Sequence, residues 1–326
     1  MTSSEGMSVV RLGVLSTALI NHKLLRGADR VTGVDVTAVA SRDLVRARVF
    51  ADEWAIPNSF GSYDELLNSD DVDAVYIPLP NGLHHEWTMR ALRAGKHVLC
   101  EKPYSRRANE VEEAFGEAAR RGLVLSEAFM FRYNPQIQEL ARLVSAGEIG
   151  ELRVVNASFT WPTDGPGDIR LDPALDGGSL LDVGVYPVSA ARLLAGEPLA
   201  ATAQMVLGPS GVDTSVVATM LFDGGVVAHF DCGFHLPDRS TLEILGTTGT
   251  ATVRDPWHCF NPGIQLRWGD SRAEDRAVPR ADSYALELEQ FCRAIAGLEN
   301  DLLGLPDALG QALALQQIFD AASHEG

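Results

Sequence analysis

The chain has 326 residues, room for about two domains at roughly 150 residues each. With 46% hydrophobic and 22% charged residues it has the balance of an ordinary globule, which excludes a disordered chain, a collagen-like repeat and a small disulfide scaffold. Asp and Glu total 44 against 27 Lys and Arg, a formal charge of −17, which repels phosphate backbones and anionic membrane surfaces. No basic run is interleaved with aromatics, so no nucleic-acid partner is expected.

In chain order, Val9–Leu15, Val34–Ala40 and Val72–Leu79 are short continuous apolar runs that predict buried strands. Val98–Cys100 and Leu123–Leu125 are shorter candidates. Helical patterns lie between them. Val111, Ala114, Phe115, Ala118 and Ala119 form one apolar stripe, with Asn109 and Glu112 as a capping pair and Gly122 as the stop. Trp87 and Ala91 mark another helix, ended by Gly95. Apolar strands alternating with amphipathic helices predict βαβ units and a parallel sheet covered on both faces.

After about Glu127 the rhythm changes. Leu152–Thr160, Ala200–Leu207, Val216–Phe222, Val226–Phe234, Thr241–Leu245 and Thr250–Arg254 read as strands of a mostly antiparallel sheet, with Asp223-Gly224-Gly225 as a hairpin turn. The tail returns to helix around Leu288, Phe291 and Ile295, then Leu309, Ala312 and Leu313. The four cysteines, Cys100, Cys232, Cys259 and Cys292, show no CxxC pairing and are expected as buried, reduced thiols of a cytoplasmic protein. The opening MTSSEGMSVVRLGV lacks the basic and apolar regions of a signal peptide. No apolar run nears the ~20 residues of a membrane span.

A strand, a tight turn and a helix at the start predict a dinucleotide site at the helix N-terminus. The usual G-x-G-x-x-G fingerprint is replaced by Ser16-Thr17-Ala18-Leu19-Ile20-Asn21. These residues are still small or polar, and the hydroxyls of Ser16 and Thr17 can donate to a pyrophosphate. The second strand ends in Ser41-Arg42 rather than an acidic residue. A carboxylate there would repel a 2′-phosphate, whereas Arg42 offers a planar fork of donors, so NADP is expected over NAD.

Three further segments carry chemistry. Glu101-Lys102-Pro103 follows the fourth strand, where a lysine points at the ligand edge of a parallel sheet, and Pro103 biases Lys102 towards extended geometry. The turn Leu79-Pro80-Asn81-Gly82-Leu83-His84-His85 follows the third strand; no third ligand accompanies the two histidines, so no metal is expected. Asp176–Pro187 contains Gly177-Gly178 and then Asp182 and Tyr186, four apart; Pro187 predicts a kink or break at Tyr186. Arg132, Arg170, Trp161, Trp257 and His258 are candidate substrate contacts, because ring-shaped ligands stack on aromatic faces and arginines bind oxygens.

These pieces together resemble the Gfo/Idh/MocA family of nicotinamide-dependent oxidoreductases over nearly the whole chain. The resemblance rests on the first βαβ unit, Pro80–His84, Glu101–Pro103, Glu127–Tyr133 and Asp182–Tyr186. Tyr186, where many members have His, resembles the branch containing dihydrodiol dehydrogenases, glucose–fructose oxidoreductase and some keto-sugar reductases. The stretches Gly178–Tyr186, Ala228–Leu236 and Asp255–Pro262 look most like the NADP-dependent D-xylose 1-dehydrogenases or trans-dihydrodiol dehydrogenases. The fold implied is an N-terminal Rossmann domain with a parallel sheet, 1–128, and a C-terminal α+β domain with a mostly antiparallel open sheet, 129–326, whose last helices pack back on the first domain. The cofactor residues implied are Ser16, Thr17, Ala18, Leu19, Ile20, Ser41, Arg42, Leu79, Pro80, Asn81, His84, Glu101 and Lys102. Lys102, Tyr186 and Asp182 are the catalytic candidates, and Arg132, Trp161, Asp182, Tyr186 and His258 the substrate contacts. A free phenol with a pKa of about 10 is a poor base at neutral pH; a nearby ammonium stabilises its phenolate. Tyr186 is therefore expected to exchange the proton and Lys102 to tune it, help worth about 10²–10⁴-fold. The activity implied is hydride transfer between nicotinamide and a carbinol or carbonyl carbon of a sugar, polyol or cyclic diol, foremost D-xylose-type oxidation at C1. The alternatives are a ketosugar reductase, sugar-nucleotide reductases included, and a non-catalytic dinucleotide-binding regulator. A homodimer or homotetramer through the C-terminal sheet is implied as well.

Overall fold

In a computed structural model of the chain, residues 8–163, 165 and 167–325 are described. The chain divides into two compact units, Met1–Met130 with Asp282–Leu309, and Phe131–Ala281 with Gly310–Gly326. Among the described residues the first unit contains β1 (Val10–Leu15), α1 (Asn21–Ala28), β2 (Val34–Ala40), α2 (Leu44–Trp54), β3 (Asn58–Phe60), α3 (Tyr63–Leu67), β4 (Ala74–Ile77), α4 (His84–Arg93), β5 (His97–Glu101), α5 (Ala108–Arg121) and β6 (Leu125–Ala128). Its strands form one parallel sheet in the order β3-β2-β1-β4-β5-β6. That order reverses direction between β1 and β4, the place where open α/β sheets bind ligands at their carboxyl ends.

Continuous apolar strands are what such a doubly covered sheet requires: Leu12, Val14 and Leu15, and Ala74 to Ile77, are all buried. Gly13 lets α3 approach β1, since a Cβ there would stand 2.7 Å from a Leu66 methyl. Asp43 caps α2 by accepting from the Val45 and Arg46 amides, and Gly122 closes α5 in the left-handed region at φ 66°. The start of α5 differs from the sequence expectation. Asn109 and Glu112 lie inside the helix, and Ser105 instead accepts from the Arg107 amide and donates to Glu110.

The second unit opens with α6 (Pro135–Ser145) and β7 (Leu152–Thr160). A π-helical turn over Leu180–Gly184 leads into α7 (Val185–Ala195). Then come β8 (Ala200–Leu207), β9 (Asp213–Leu221), β10 (Val227–Gly233), β11 (Arg239–Gly246), β12 (Gly249–Val253), β13 (Ile264–Trp268) and β14 (Ala273–Arg276). The chain continues through α8 (Ser283–Ile295) and α9 (Leu305–Ala321) to β15 (Ala322–Glu325). Nine strands pair in the order β14-β13-β12-β11-β7-β10-β9-β8-β15. Most pairs are antiparallel; β7–β10 and β8–β15 run parallel.

β13, β14 and β15 are additions to the strands the sequence announces. β14 reads Ala-Glu-Asp-Arg, an exposed edge strand without an apolar alternation to betray it. Val226, Ala228 and Phe230 face the core. The other side of the sheet exposes Val217, His229 and Leu221. α8 belongs to the first unit, where it crosses α1 at Gly27; a Cβ on Gly27 would stand 2.9 Å from the Ala285 nitrogen and the Tyr284 Cβ. Among the described residues no helix is long and apolar enough to cross a membrane.

Candidate active site

The carboxyl edge of the parallel sheet gathers most of the cofactor candidates. After β1 the chain turns through Ser16–Ile20 into α1. Ser16 adopts φ 131°, a region that favours glycine, at the position where the fingerprint has its first glycine. Asn21 holds it there by donating its side-chain amide to the Ser16 carbonyl at 2.7 Å, while the Ser16 hydroxyl accepts from the Ala18 amide. The turn therefore has the required backbone shape without the glycine. Ala18 is small, and the turn leads into the α1 N-terminus, where backbone amides favour anions.

At the end of β2, Ser41 is buried and its hydroxyl accepts from the Asp43 amide. Asp43 is occupied as the α2 cap, so it does not take the acidic ribose-binding place. Arg42 is exposed, and both Arg42 and Arg46 act on the Tyr63 phenol: burial raises its pKa, and the two guanidiniums draw it back. Arg46 is a second cation that the sequence reading passed over; its signal is its place in the first turn of α2, four residues after Arg42. This donor set fits a dinucleotide carrying a 2′-phosphate better than one without it.

After β4, Leu79 is buried, whereas Pro80 and Asn81 are partly exposed at the turn. His84 differs from its expected direct cofactor contact. It is fully buried, and its ring nitrogens lie 2.7 Å from the Leu79 carbonyl and 2.8 Å from the Pro103 carbonyl. His84 thus ties the β4 turn to the segment after β5. His85 faces the Tyr104 hydroxyl at 3.0 Å and Glu113 at 3.4 Å.

Glu101 ends β5 and Lys102 follows it, each partly exposed; the Lys102–Pro103 peptide is cis. The Glu101 carboxyl accepts from the Tyr76 hydroxyl at 2.5 Å and from the Lys102 amide at 3.3 Å. Burial raises its pKa, and Lys102 works against that rise.

In the second unit the Asp182–Tyr186 segment is shaped by glycines. Gly178 has φ 124°, and a Cβ there would meet the Asp213 carboxylate. A Cβ on Gly177 would meet the Arg170 carbonyl at 2.5 Å, and one on Gly184 would press on Cys232 Sγ at 2.9 Å. Asp213, buried at the start of β9, accepts from the Leu180 amide and the Ser179 hydroxyl at 2.7 and 2.8 Å. Burial raises its pKa and these donors lower it. Asp213 is a positioning residue that no local sequence signal marks.

The π turn, a geometry frequent at functional sites, replaces the kink expected at Pro187. Pro187 falls in the first turn of α7, where a missing N–H costs nothing. Asp182 then meets Arg170: its carboxylate accepts from Nε at 3.1 Å. Arg170 also pairs with Asp168 at 3.2 Å, and its guanidinium lies 4.9 Å from the Trp161 ring centroid.

Tyr186 faces a different set. It is 9% exposed, with ring centroids 5.4 Å from Phe131, 5.3 Å from Phe159 and 6.0 Å from Trp257. Trp257 is fully buried and donates to the Ser158 carbonyl, a core role. His258 packs edge-on to Phe159 and stacks on the exposed Phe260. Arg132, expected at the substrate, is buried and donates to Ser189 Oγ of α7 at 3.0 Å, which makes it a brace of that helix. The four cysteines are buried free thiols.

Comparison with known proteins follows the same division. Residues 11–129 match the oxidoreductase family with an NAD-binding Rossmann fold, and 137–252 match the GFO/IDH/MocA C-terminal domain. The sequence is 37% identical to D-xylose 1-dehydrogenase (NADP(+)) 2 of Haloferax volcanii, over 95% of this chain and 96% of that one. It is 36% identical to a dTDP-3,4-didehydro-2,6-dideoxy-alpha-D-glucose 3-reductase of Actinomadura kijaniata, over 99% and 98%. A crystal structure of a 3-ketoreductase from the same organism, a tyrosine-to-phenylalanine variant in complex with TDP-benzene and NADP, has a TM-score of 0.92 at 35% identity, covering 97% of this chain and 99% of that one. The chain belongs to the Gfo/Idh/MocA family of oxidoreductases.

Proposed function

We propose that the protein is an NADP-dependent dehydrogenase that oxidises the C1 carbinol of a neutral aldose of the D-xylose type. The observation that carries the substrate class is the Arg170 cluster. Its one guanidinium is flanked by two carboxylates, Asp168 and Asp182, and rests against Trp161. Such a group accepts and donates to hydroxyls beside an aromatic face. It is not a cationic clamp for a diphosphate, which needs uncompensated positive charge.

NADP would supply the hydride acceptor when bound. Ser16–Ile20 and the α1 N-terminus would hold its pyrophosphate, and Arg42 with Ser41 and Arg46 its 2′-phosphate, with Leu79, Pro80 and Asn81 along the same edge. Tyr186 Oη would take the hydroxyl proton, with the hydride from C1 passing to the nicotinamide of NADP⁺. Lys102 supplies a positive charge at the carboxyl end of β5, where the Glu101 carboxyl accepts from its backbone amide. Asp182, steadied by Arg170, and His258 bind sugar hydroxyls. The protein assembles with its own copies through the exposed side of the nine-stranded sheet, and it works in the cytoplasm.

The similarity to TDP-sugar ketoreductases favours one other reading, reduction of a nucleotide-linked ketosugar. A panel of pentoses and hexoses with NADP⁺ and NAD⁺, followed by absorbance of the reduced nicotinamide, separates the two. Turnover with a free aldose and preference for NADP⁺ are expected. No turnover with any free sugar, together with oxidation of NADPH by a TDP-linked ketosugar, overturns the aldose assignment.

A further inference from the structure

Besides Glu101, the first unit buries a carboxyl group that the chemistry above does not use. Glu287 lies on α8 and is 1% exposed. Neither of its carboxyl oxygens has a hydrogen-bond partner among the described residues. An ionised carboxylate in that state would have nothing to offset its desolvation.

The titratable groups facing it come from each neighbouring element. Glu101 from β5 opposes it directly in charge, and Tyr76 from β4 and Tyr284 on α8 present phenols. Lys23 on α1, the helix packed on α8, faces Glu101 and Lys102. Burial holds the Glu287 carboxyl well above the ordinary carboxylate range, and Glu101 adds to that rise.

Two carboxyl groups sharing one buried region cannot both ionise cheaply, so one proton stays with the pair. The two are unequal. Glu101 has the Tyr76 hydroxyl, the Lys102 amide and the charges of Lys102 and Lys23 to support a carboxylate. Glu287 has no such support. We propose that Glu287 is the protonated member of a buried carboxyl pair with Glu101, and that by keeping the proton it leaves Glu101 a carboxylate beside Lys102. Glu287 is then a positioning residue for Lys102. Only this last clause rests on the dehydrogenase reading; the protonation itself is a property of the folded chain.

The full-length chain tests it through Glu287→Gln, which copies the neutral acid, and Glu287→Met, which keeps its length without polarity. Infrared difference spectra at neutral pH should show a protonated-carboxyl stretch in the wild type that is missing from Glu287→Gln. In urea unfolding from pH 5 to 9, Glu287 keeps its proton in the folded chain and loses it in the unfolded one. The wild type should therefore lose stability relative to Glu287→Gln as pH rises, by up to about tenfold in the unfolding equilibrium per pH unit. Survival of the band in Glu287→Gln, or midpoints that keep a constant separation at every pH, overturns the proposal. Absence of a protonated-carboxyl stretch from the wild-type spectrum overturns it whether or not the variants fold. Absence of dehydrogenase turnover would leave these readouts intact and would strike only the functional reading.

Discussion

The two units handle charge in opposite ways. In the first, Glu101 and Glu287 are drawn into the protein beside a parallel sheet, and burial pushes both carboxyls up. In the second, Glu139 and Glu148 stand at the surface between Arg142 of α6 and Arg276 of β14, and those guanidiniums pull both carboxyls down. One unit thus keeps titratable groups close to the proposed chemistry; the other uses them to fasten an edge strand to a helix. Catalytic acid–base work calls for the first arrangement, because a charge-tuned site needs groups whose pKa values are moved out of the ordinary range.

The largest expected effect tests whether the second unit contributes to chemistry at all. Tyr186→Phe removes one hydroxyl from an aromatic cluster and should lower kcat by about 10²–10⁴-fold, with NADP⁺ binding, read by fluorescence titration, retained. A near-normal kcat would confine the chemistry to the first unit and break the division of labour. Arg42→Ala comes next and concerns the first unit alone. Loss of a charge-assisted contact costs about 1.5–3 kcal/mol, so NADP⁺ binding should weaken by roughly ten- to a hundredfold while NAD⁺ binding holds. Equal weakening of both cofactors would remove Arg42 from the 2′-phosphate.

How much of this could be read from the sequence also differs between the units. In the first, topology does the placing: once β5 is recognised as a parallel strand, Glu101 and Lys102 fall at its carboxyl end, and Ser41-Arg42 follows β2 by the same logic. What stayed hidden there depends on contacts far along the chain. His84 reads as a nucleotide contact until Pro103 is seen 2.8 Å from its ring, and Glu287 belongs to a tail helix that packs nearly two hundred residues away from β5. In the second unit the Asp182–Tyr186 spacing was legible, but its geometry was not. The π turn follows from Asp213 receiving Ser179 and Leu180, and from close approaches at Gly177, Gly178 and Gly184, and none of these is local. β14 carries no apolar period at all; its ladder with β13 and the ion pairs of Arg276 are its visible attachments.

That last point gives the smallest expected effect and the sharpest contrast in sign. Glu139 titrates at about 2 in the folded chain, against an ordinary 4.5, chiefly through Arg142 with Arg276 behind it. A depressed carboxyl adds stability that is present above the ordinary value and is lost as pH falls towards the folded one. The second unit should therefore weaken between about pH 4.5 and pH 2, opposite in direction to the alkaline weakening expected from Glu287. Arg276→Gln removes the link from β14 to Glu139 and Glu148 and should flatten part of that acid limb, leaving the alkaline limb as it is. Because these groups are partly exposed and solvent screens them, the change is modest and should shrink further in high salt. An acid limb untouched by Arg276→Gln at low salt would mean that packing, not charge, holds the edge strand.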